Sequence, residues 1–200
     1  MWRMGRWEPN TRERLERAAL ALFVEHGYDA TTVAEIADRA GLTKSTFFRH
    51  FADKREVLFG GEEPLVERFA EAIRTSPPEA TAVDCLAAVL ATAAQTFTLE
   101  RHDLAIQRRS AITANSDLQE RQLLKRARLS SAITGALRDR GVDATTANLA
   151  AEMGVLAFGI AYCLWAEPGN RRPYLEIAHE VLADLRACAA MLGAGAGVSA

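Results

Sequence analysis

The chain has little of what most chemistry needs. Its three cysteines, Cys85, Cys163 and Cys188, are far apart, with no Cys-x-x-Cys and no Cys/His cluster. That excludes the usual zinc and dithiol motifs. An odd number set in apolar helical surroundings predicts reduced, buried thiols in a cytosolic protein. The four histidines, His26, His50, His102 and His179, are scattered, and neither an HExxH motif nor a Gly-rich phosphate loop occurs. No catalytic constellation, metal site or cofactor is therefore expected. Long apolar runs are missing as well. The longest, Met153 to Ala166, falls short of the roughly 18 to 20 residues of a spanning helix, and the MWRMGRWEPN terminus lacks the apolar stretch of a signal peptide. A cytoplasmic protein with no membrane role follows as the expectation. A basic excess is absent too. The formal net charge is −2 over 200 residues, so any surface for nucleic acid has to be local. Strand-like alternation is also lacking, and the Ala-rich segments predict an all-α fold of about nine helices.

Against these absences, Thr32 to Lys54 is densely patterned. Thr32 stands three residues ahead of Glu35, the spacing of a capping box, and Val33, Ile36, Ala37 and Ala40 form one apolar stripe that ends at Gly41. Thr43 is placed to cap a second helix, in which Phe47 and Phe51 share the buried face. At about 100° per residue, Ser45 and Arg49 point away from that face, flanked by Thr46 and Phe48, with Lys44 reaching round from the first turn. Two short helices about a glycine turn, the second exposing small polar and basic groups, form the pattern of a helix-turn-helix.

At these residues the run TTVAEIADRAGLTKSTFFRHFADKREVLF resembles the N-terminal domain of the TetR family of bacterial transcriptional regulators, over about residues 11 to 59. The family usually carries tyrosine where this chain has Phe48, which removes one hydroxyl suited to a phosphate; His50 retains a donor. The resemblance implies a three-helix DNA-binding domain followed by a larger helical domain for ligand binding and dimerisation. The implied partners are a palindromic double-stranded operator, a second copy bound through the last two long helices, and a small-molecule effector that releases a repressor. The C-terminal half also resembles the regulatory domain of TetR-type proteins that sense acyl-CoA-like ligands.

The chain divides on this reading into a DNA-binding domain with an N-terminal arm (1–56), a regulatory and dimerisation domain (57–192) and a disordered tail (193–200). The arm carries Arg3 and Arg6, and Asn10 with Glu13 offers a capping box for a first helix ending at Gly27. On that helix Arg12, Arg14 and Arg17 alternate with Glu13 and Glu16 and predict a solvated, ion-paired face. A fourth helix starts at the Asp53/Glu56 box and is interrupted by Gly60, Gly61 and Pro64, a candidate hinge, before running on to about Arg74. Further helices are predicted at about 79–99, 103–114, 117–140, 143–165 and 174–192. In the third of these, Leu118, Leu123, Leu124 and Leu129 are expected to turn inward. The helix ending at Trp165 is nearly apolar all round from Met153 onward, which marks it for burial on several sides.

The site residues follow from this frame. Lys44, Ser45, Thr46 and Arg49 are expected to face the groove, Arg49 or Lys44 reading guanine. Thr43, His50 and Lys54 suit phosphates, Thr32 caps the supporting helix, and Phe48 suits sugar or a thymine methyl. An effector pocket is expected among Phe97, His102, Phe158, Tyr162 and Trp165, with Arg108 or Arg109 for an acidic ligand. A small helical enzyme and a protein-binding adaptor that keeps the helix-turn-helix as scaffold are the competing readings.

Overall fold

A computed structural model describes residues 11–59 and 62–194. The arm with Arg3 and Arg6, the Asn10 cap, the glycines at 60 and 61 and the last six residues of the tail lie outside that range. The described residues fold as helices: α1 (Thr11–His26), α2 (Val33–Arg39), α3 (Lys44–His50), α4 (Glu56–Phe59), α5 (Glu62–Arg74), α6 (Ala82–Ala94), a 3-10 turn (Leu99–Arg101), α7 (His102–Thr113), α8 (Ser116–Asp139), α9 (Ala144–Trp165) and α10 (Tyr174–Ala194). The fourth helix of the sequence reading, with its expected interruption, corresponds to α4 and α5, and residues 60 and 61 between them lie outside the described range.

The chain forms two compact units. The first is Met1–Gly61 with Leu104–Gln119, the second Glu62–Asp103 with Glu120–Ala200. This partition differs from a boundary at residue 56. Val57, Leu58 and Phe59 are buried with Leu15, Ile36 and Phe47, and Leu104, Ala111 and Leu118 join the same core. Burying this apolar surface is the main force holding the three short helices α2 to α4, none of which is long enough to be stable alone.

The face of α1 expected to be solvated is only partly so. Arg17 and Glu13 make the surface pair at 2.7 Å. By contrast Arg12 donates to the His50 carbonyl at 2.7 Å and lies 4.3 Å from the Phe51 ring centroid. Arg14 donates to the Ala40 carbonyl at 2.7 Å, and Glu16 is buried against Arg108 at 2.5 Å. Three of the five charges thus fasten α1 to partners 26 to 92 residues away. Local periodicity carries no information about such partners.

In the second unit α9 packs on α6 and α10, and α5 on α6. The α6–α9 approach needs a residue without a side chain: a Cβ at Gly154 would stand 2.6 Å from Leu86 Cδ2. Ser130 on α8 donates to Glu152 on α9 at 2.6 Å. By length and composition α9 could cross a membrane, which a count of the 153–166 run alone misses. Its buried side, including Ala147, Ala151, Val155 and Ala161, is instead occupied by the helices packed on it. Its other side exposes Leu149, Leu156, Ile160 and Leu164.

Several expectations change. Leu118 and Leu129 are fully buried, but Leu123 and Leu124 are 63% and 52% exposed. Five and six residues past Leu118, they have rotated roughly 500–600° along the helix and so leave the inward arc. Cys85 is buried, whereas Cys163 and Cys188 are exposed on α9 and α10. The fifth predicted helix stops at Ala94 rather than near 99, and Leu99 is exposed.

Candidate nucleic-acid interface and ligand site

The interface is built from caps. Thr32 Oγ1 accepts the Glu35 amide at 3.3 Å, and Glu35 returns by accepting the Thr32 amide at 2.7 Å and its hydroxyl at 2.8 Å. The Thr32 backbone N–H, then its hydroxyl, holds the Glu35 carboxyl below the usual range. After α2 the chain turns at Gly41, whose φ of +64° suits a residue without Cβ. Its amide bonds Asp38 O at 2.9 Å while Leu42 N reaches back to Ala37 O at 2.8 Å. Arg14 covers the carbonyl left at Ala40.

Thr43 then caps α3 by accepting the Thr46 amide at 3.1 Å. Phe47 is fully buried, and Phe51 packs on it with centroids 5.4 Å apart. The opposite side of α3 presents Lys44, Ser45, Phe48 and Arg49 to solvent. Arg49 Nη2 donates to Thr46 Oγ1 at 3.1 Å, and that hydroxyl also lies 3.0 Å from Thr43 Oγ1. These contacts tie the exposed Arg49 to Thr46 and, through it, to the cap of its own helix. Phe48, 54% exposed, stands edge-on to Phe47. His50 is half-buried at the end of the helix, its carbonyl occupied by Arg12.

Lys54 has a different task from the phosphate contact expected of it. Its ammonium donates to the carbonyls of Tyr28 at 2.7 Å, Thr31 at 3.0 Å and Asp29 at 3.2 Å, and lies 4.3 Å from the Tyr28 ring centroid. All three of its protons are used. The lysine pins the α1–α2 loop, and its partners lie 23 to 26 residues upstream, beyond any local signal. Beside it the Tyr28 phenol is pushed up to about 12, by burial first and then by the nearby Asp53 charge.

The residues proposed for a ligand pocket divide. Phe97 stands 5.9 Å from Phe158, 5.2 Å from Tyr162, 5.4 Å from Trp165 and 4.8 Å from Tyr174. His102 sits edge-on to Trp165, its Nε2 2.7 Å from the Trp165 carbonyl. These rings pack on one another rather than around an open cavity. Tyr174, absent from the sequence reading, belongs among them; its position opening α10 gave no sign of it, and burial drives its phenol pKa up. Arg108 does not belong. It lies in the first unit, donating to Glu16 and, at 3.3 Å, to the Val57 carbonyl. A signal for that pair was present: Glu16 shares a helical face with Ala19, Leu20 and Phe23, a position where a lone carboxylate needs a cation. The open concavity is next to the ring cluster, a groove of about 330 Å³ between α8 and α9 lined by Leu123, Leu129, Leu156, Phe158, Tyr162 and Leu164, with Lys125 and Arg126 on its wall. Among the described residues no group of His, Cys, Asp and Glu is placed to hold a metal.

Residues 16–59 match the family model of bacterial regulatory proteins, tetR family. Over this segment the chain is similar to the regulators of the TetR family. HTH-type transcriptional regulator TcmR of Streptomyces glaucescens is 43% identical over 67 residues, which are 34% of this chain and 30% of the relative. HTH-type transcriptional activator FasR of Mycolicibacterium smegmatis is 41% identical over 69 residues, 32% of each protein. The matched segment thus spans about a third of the length of these relatives. Similarity of the whole fold reaches further. Thermus thermophilus FadR, described as a TetR-family transcriptional repressor in complex with lauroyl-CoA, superposes with a TM-score of 0.51 at 25% identity, covering 86% of this chain and 91% of that one.

Proposed function

We propose that this chain is a sequence-specific DNA-binding regulator of transcription, acting in the cytoplasm as a homodimeric repressor that a small molecule releases. The observation that carries the reading is α3. A fully buried Phe47 fixes the helix, the Thr43–Thr46–Arg49 contacts orient its cation, and Lys44, Ser45 and Arg49 are left exposed in a segment that matches the family model. Arg49 or Lys44 reads guanine O6 and N7 in the major groove, Ser45 and Thr46 sit against neighbouring base edges, and Phe48 packs on sugar or a thymine methyl. Thr43 and His50 contact phosphates, while Thr32 and Lys54 hold the supporting helix and loop in place.

Dimerisation follows from α9. Leu149, Leu156, Ile160 and Leu164 recur at spacings of seven, four and four residues on its exposed side, and Met191 is 65% exposed on α10. A stripe so apolar favours burial against a second copy. Two reading heads about 34–36 Å apart reach successive major-groove faces and recognise a palindrome. The effector acts by population shift, favouring a head spacing that misfits the operator, with residues 60, 61 and Pro64 as the hinge. The lauroyl-CoA bound by the Thermus protein favours an effector with an extended apolar part. The relatives named above are transcriptional regulators rather than enzymes. The reading is tested by selecting fragments from a random DNA pool with the purified protein. Enrichment of one inverted repeat is expected, and retention of DNA without sequence enrichment refutes the proposal.

A further inference from the structure

The exposed side of α9 is flanked by walls of opposite charge. In the α8–α9 groove Leu123, Leu156, Ile160 and Leu164 lie beside Lys125 and Arg126. A second groove, of about 360 Å³, runs between α9 and α10, where Leu164, Ile177 and Val181 meet Glu167, Glu180 and Asp184. Leu164 lines both. A basic wall and an acidic wall therefore stand at one level, on either side of a single apolar ridge. Glu180 is held by Arg172. Arg126, Glu167 and Asp184, by contrast, have no side-chain partner among the described residues. Nor does the apolar surface end with α9: Leu123 of α8 is 63% exposed, more than Leu156, Ile160 or Leu164 on the ridge itself. An apolar patch that spans two helices, with separated charges of opposite sign on its two rims, has the anatomy of a protein interface.

We propose that α8 is part of the surface on which a second copy of this chain docks, and that the basic wall of α8 in each copy meets the acidic wall of α10 in the other. The proposal rests on the homodimer reading and adds to it which helices pair. A two-fold contact is self-complementary, so whatever α8 touches on the partner touches α8 in return. With the α9 ridges of two copies face to face, two arrangements satisfy that rule. An axis running across the ridges sets α8 on α8 and α10 on α10, bringing cations onto cations and acids onto acids. An axis running along the ridges sets α8 on the partner's α10. Juxtaposed like charges disfavour the first arrangement and opposite charges favour the second. Because both walls stand at the level of Leu164, the second arrangement brings Lys125 and Arg126 opposite Glu167 and Asp184 of the partner subunit. Leu123 then lies under the partner instead of in water.

The test measures the dimer dissociation constant of the full chain by sedimentation equilibrium. Arg126→Glu and Asp184→Arg each reverse a charge at an exposed position, and the two-fold makes each reversal count twice. Either one is expected to weaken the dimer about 10- to 100-fold at low salt, and less as salt is raised. The chain carrying both restores opposite charges across the contact and is expected to assemble at least about fivefold more tightly than either single variant. A second measurement reads the pairing directly. Unlabelled and 15N-labelled chains are mixed and their amines coupled to carboxylates with a carbodiimide, and Lys125 is expected joined to Glu167, Glu180 or Asp184 in peptides of mixed label. Single reversals that leave the dimer intact, while Leu156→Asp with Ile160→Asp dissociates it, overturn the pairing and keep the dimer. A reversal that tightens the dimer, a double variant no better than the single ones, or Lys125 cross-links confined to peptides of one label also overturn the pairing. A chain that sediments as a monomer at every concentration overturns the homodimer reading itself, and this pairing with it.

Discussion

Replacing Lys54 separates two roles that a helix-turn-helix lysine is able to play. In the structure its ammonium ties the carbonyls of Tyr28, Asp29 and Thr31 and lies over the Tyr28 ring. Hydrogen bonds from a charged donor contribute about 1.5–3 kcal/mol each and an exposed cation–π contact about 0.5–1 kcal/mol. The simple sum overstates the loss, because the carbonyl of exposed Asp29 rehydrates once the lysine is gone. For Lys54→Ala a loss of about 2–3 kcal/mol is therefore expected, equivalent in a chain of this size to roughly 4–12 °C in Tm. Lys54→Met keeps the aliphatic stem over the ring and recovers a minor part. Thermal unfolding with far-UV circular dichroism reads the effect, and DNA affinity at several salt concentrations reads the competing role. A Tm within about 1 °C of the unaltered protein, together with weaker binding to all sequences and a shallower salt slope, refutes the structural role and restores the phosphate contact.

Two other predictions concern caps and the exposed stripe. Glu35 has a folded pKa lowered from 4.5 by the Thr32 amide and hydroxyl, and Asp84 and Asp143 are lowered from 3.8 by the Thr81 hydroxyl and by Thr146. Depressed carboxylates stabilise the fold fully above their unfolded values and lose that contribution as pH falls through the folded ones. Protection of the amides at the start of α2, taken relative to the intrinsic exchange rate at each pH, should therefore fall below about pH 4.5 in the unaltered chain, and Glu35→Ala should already be less protected at neutral pH and converge with it in acid; protection independent of both pH and the substitution removes the capping account. Leu156→Asp combined with Ile160→Asp places two charges on the exposed α9 stripe and is expected to give a folded monomer by sedimentation equilibrium. A dimer that survives both charges shows that the copies meet elsewhere.

What could be read in the sequence was whatever short-range chemistry controls. Thr32 with Glu35, Thr43 and Gly41 announce their caps and turn within three or four residues. For that reason α2, α3, α8 and α9 were found with ends off by at most about a turn. The exposed and buried faces of α3 followed from a single helical rotation anchored on Phe47 and Phe51. Long-range polar contacts were invisible. Arg14 on Ala40, Arg108 on Glu16 and Lys54 on the loop carbonyls join residues 23 or more apart, and each looked locally like an ordinary surface or site cation. Leu123 and Leu124 misled because a leucine names its hydrophobicity and not the partner that covers it. The ring cluster was largely legible: Phe97, His102, Phe158, Tyr162 and Trp165 were expected together, and Tyr174 of α10 joins them only by tertiary folding.

The central claim is that the exposed face of α3 reads base sequence, and Arg49 is its most directly testable residue. Random-pool selection performed in parallel on the unaltered protein and Arg49→Ala, at one fixed salt concentration, measures the claim base by base. Loss of preference at one base pair of each half-site, worth about 1–3 kcal/mol, with the rest of the motif retained, is the predicted result. An Arg49→Ala motif identical at every position contradicts it.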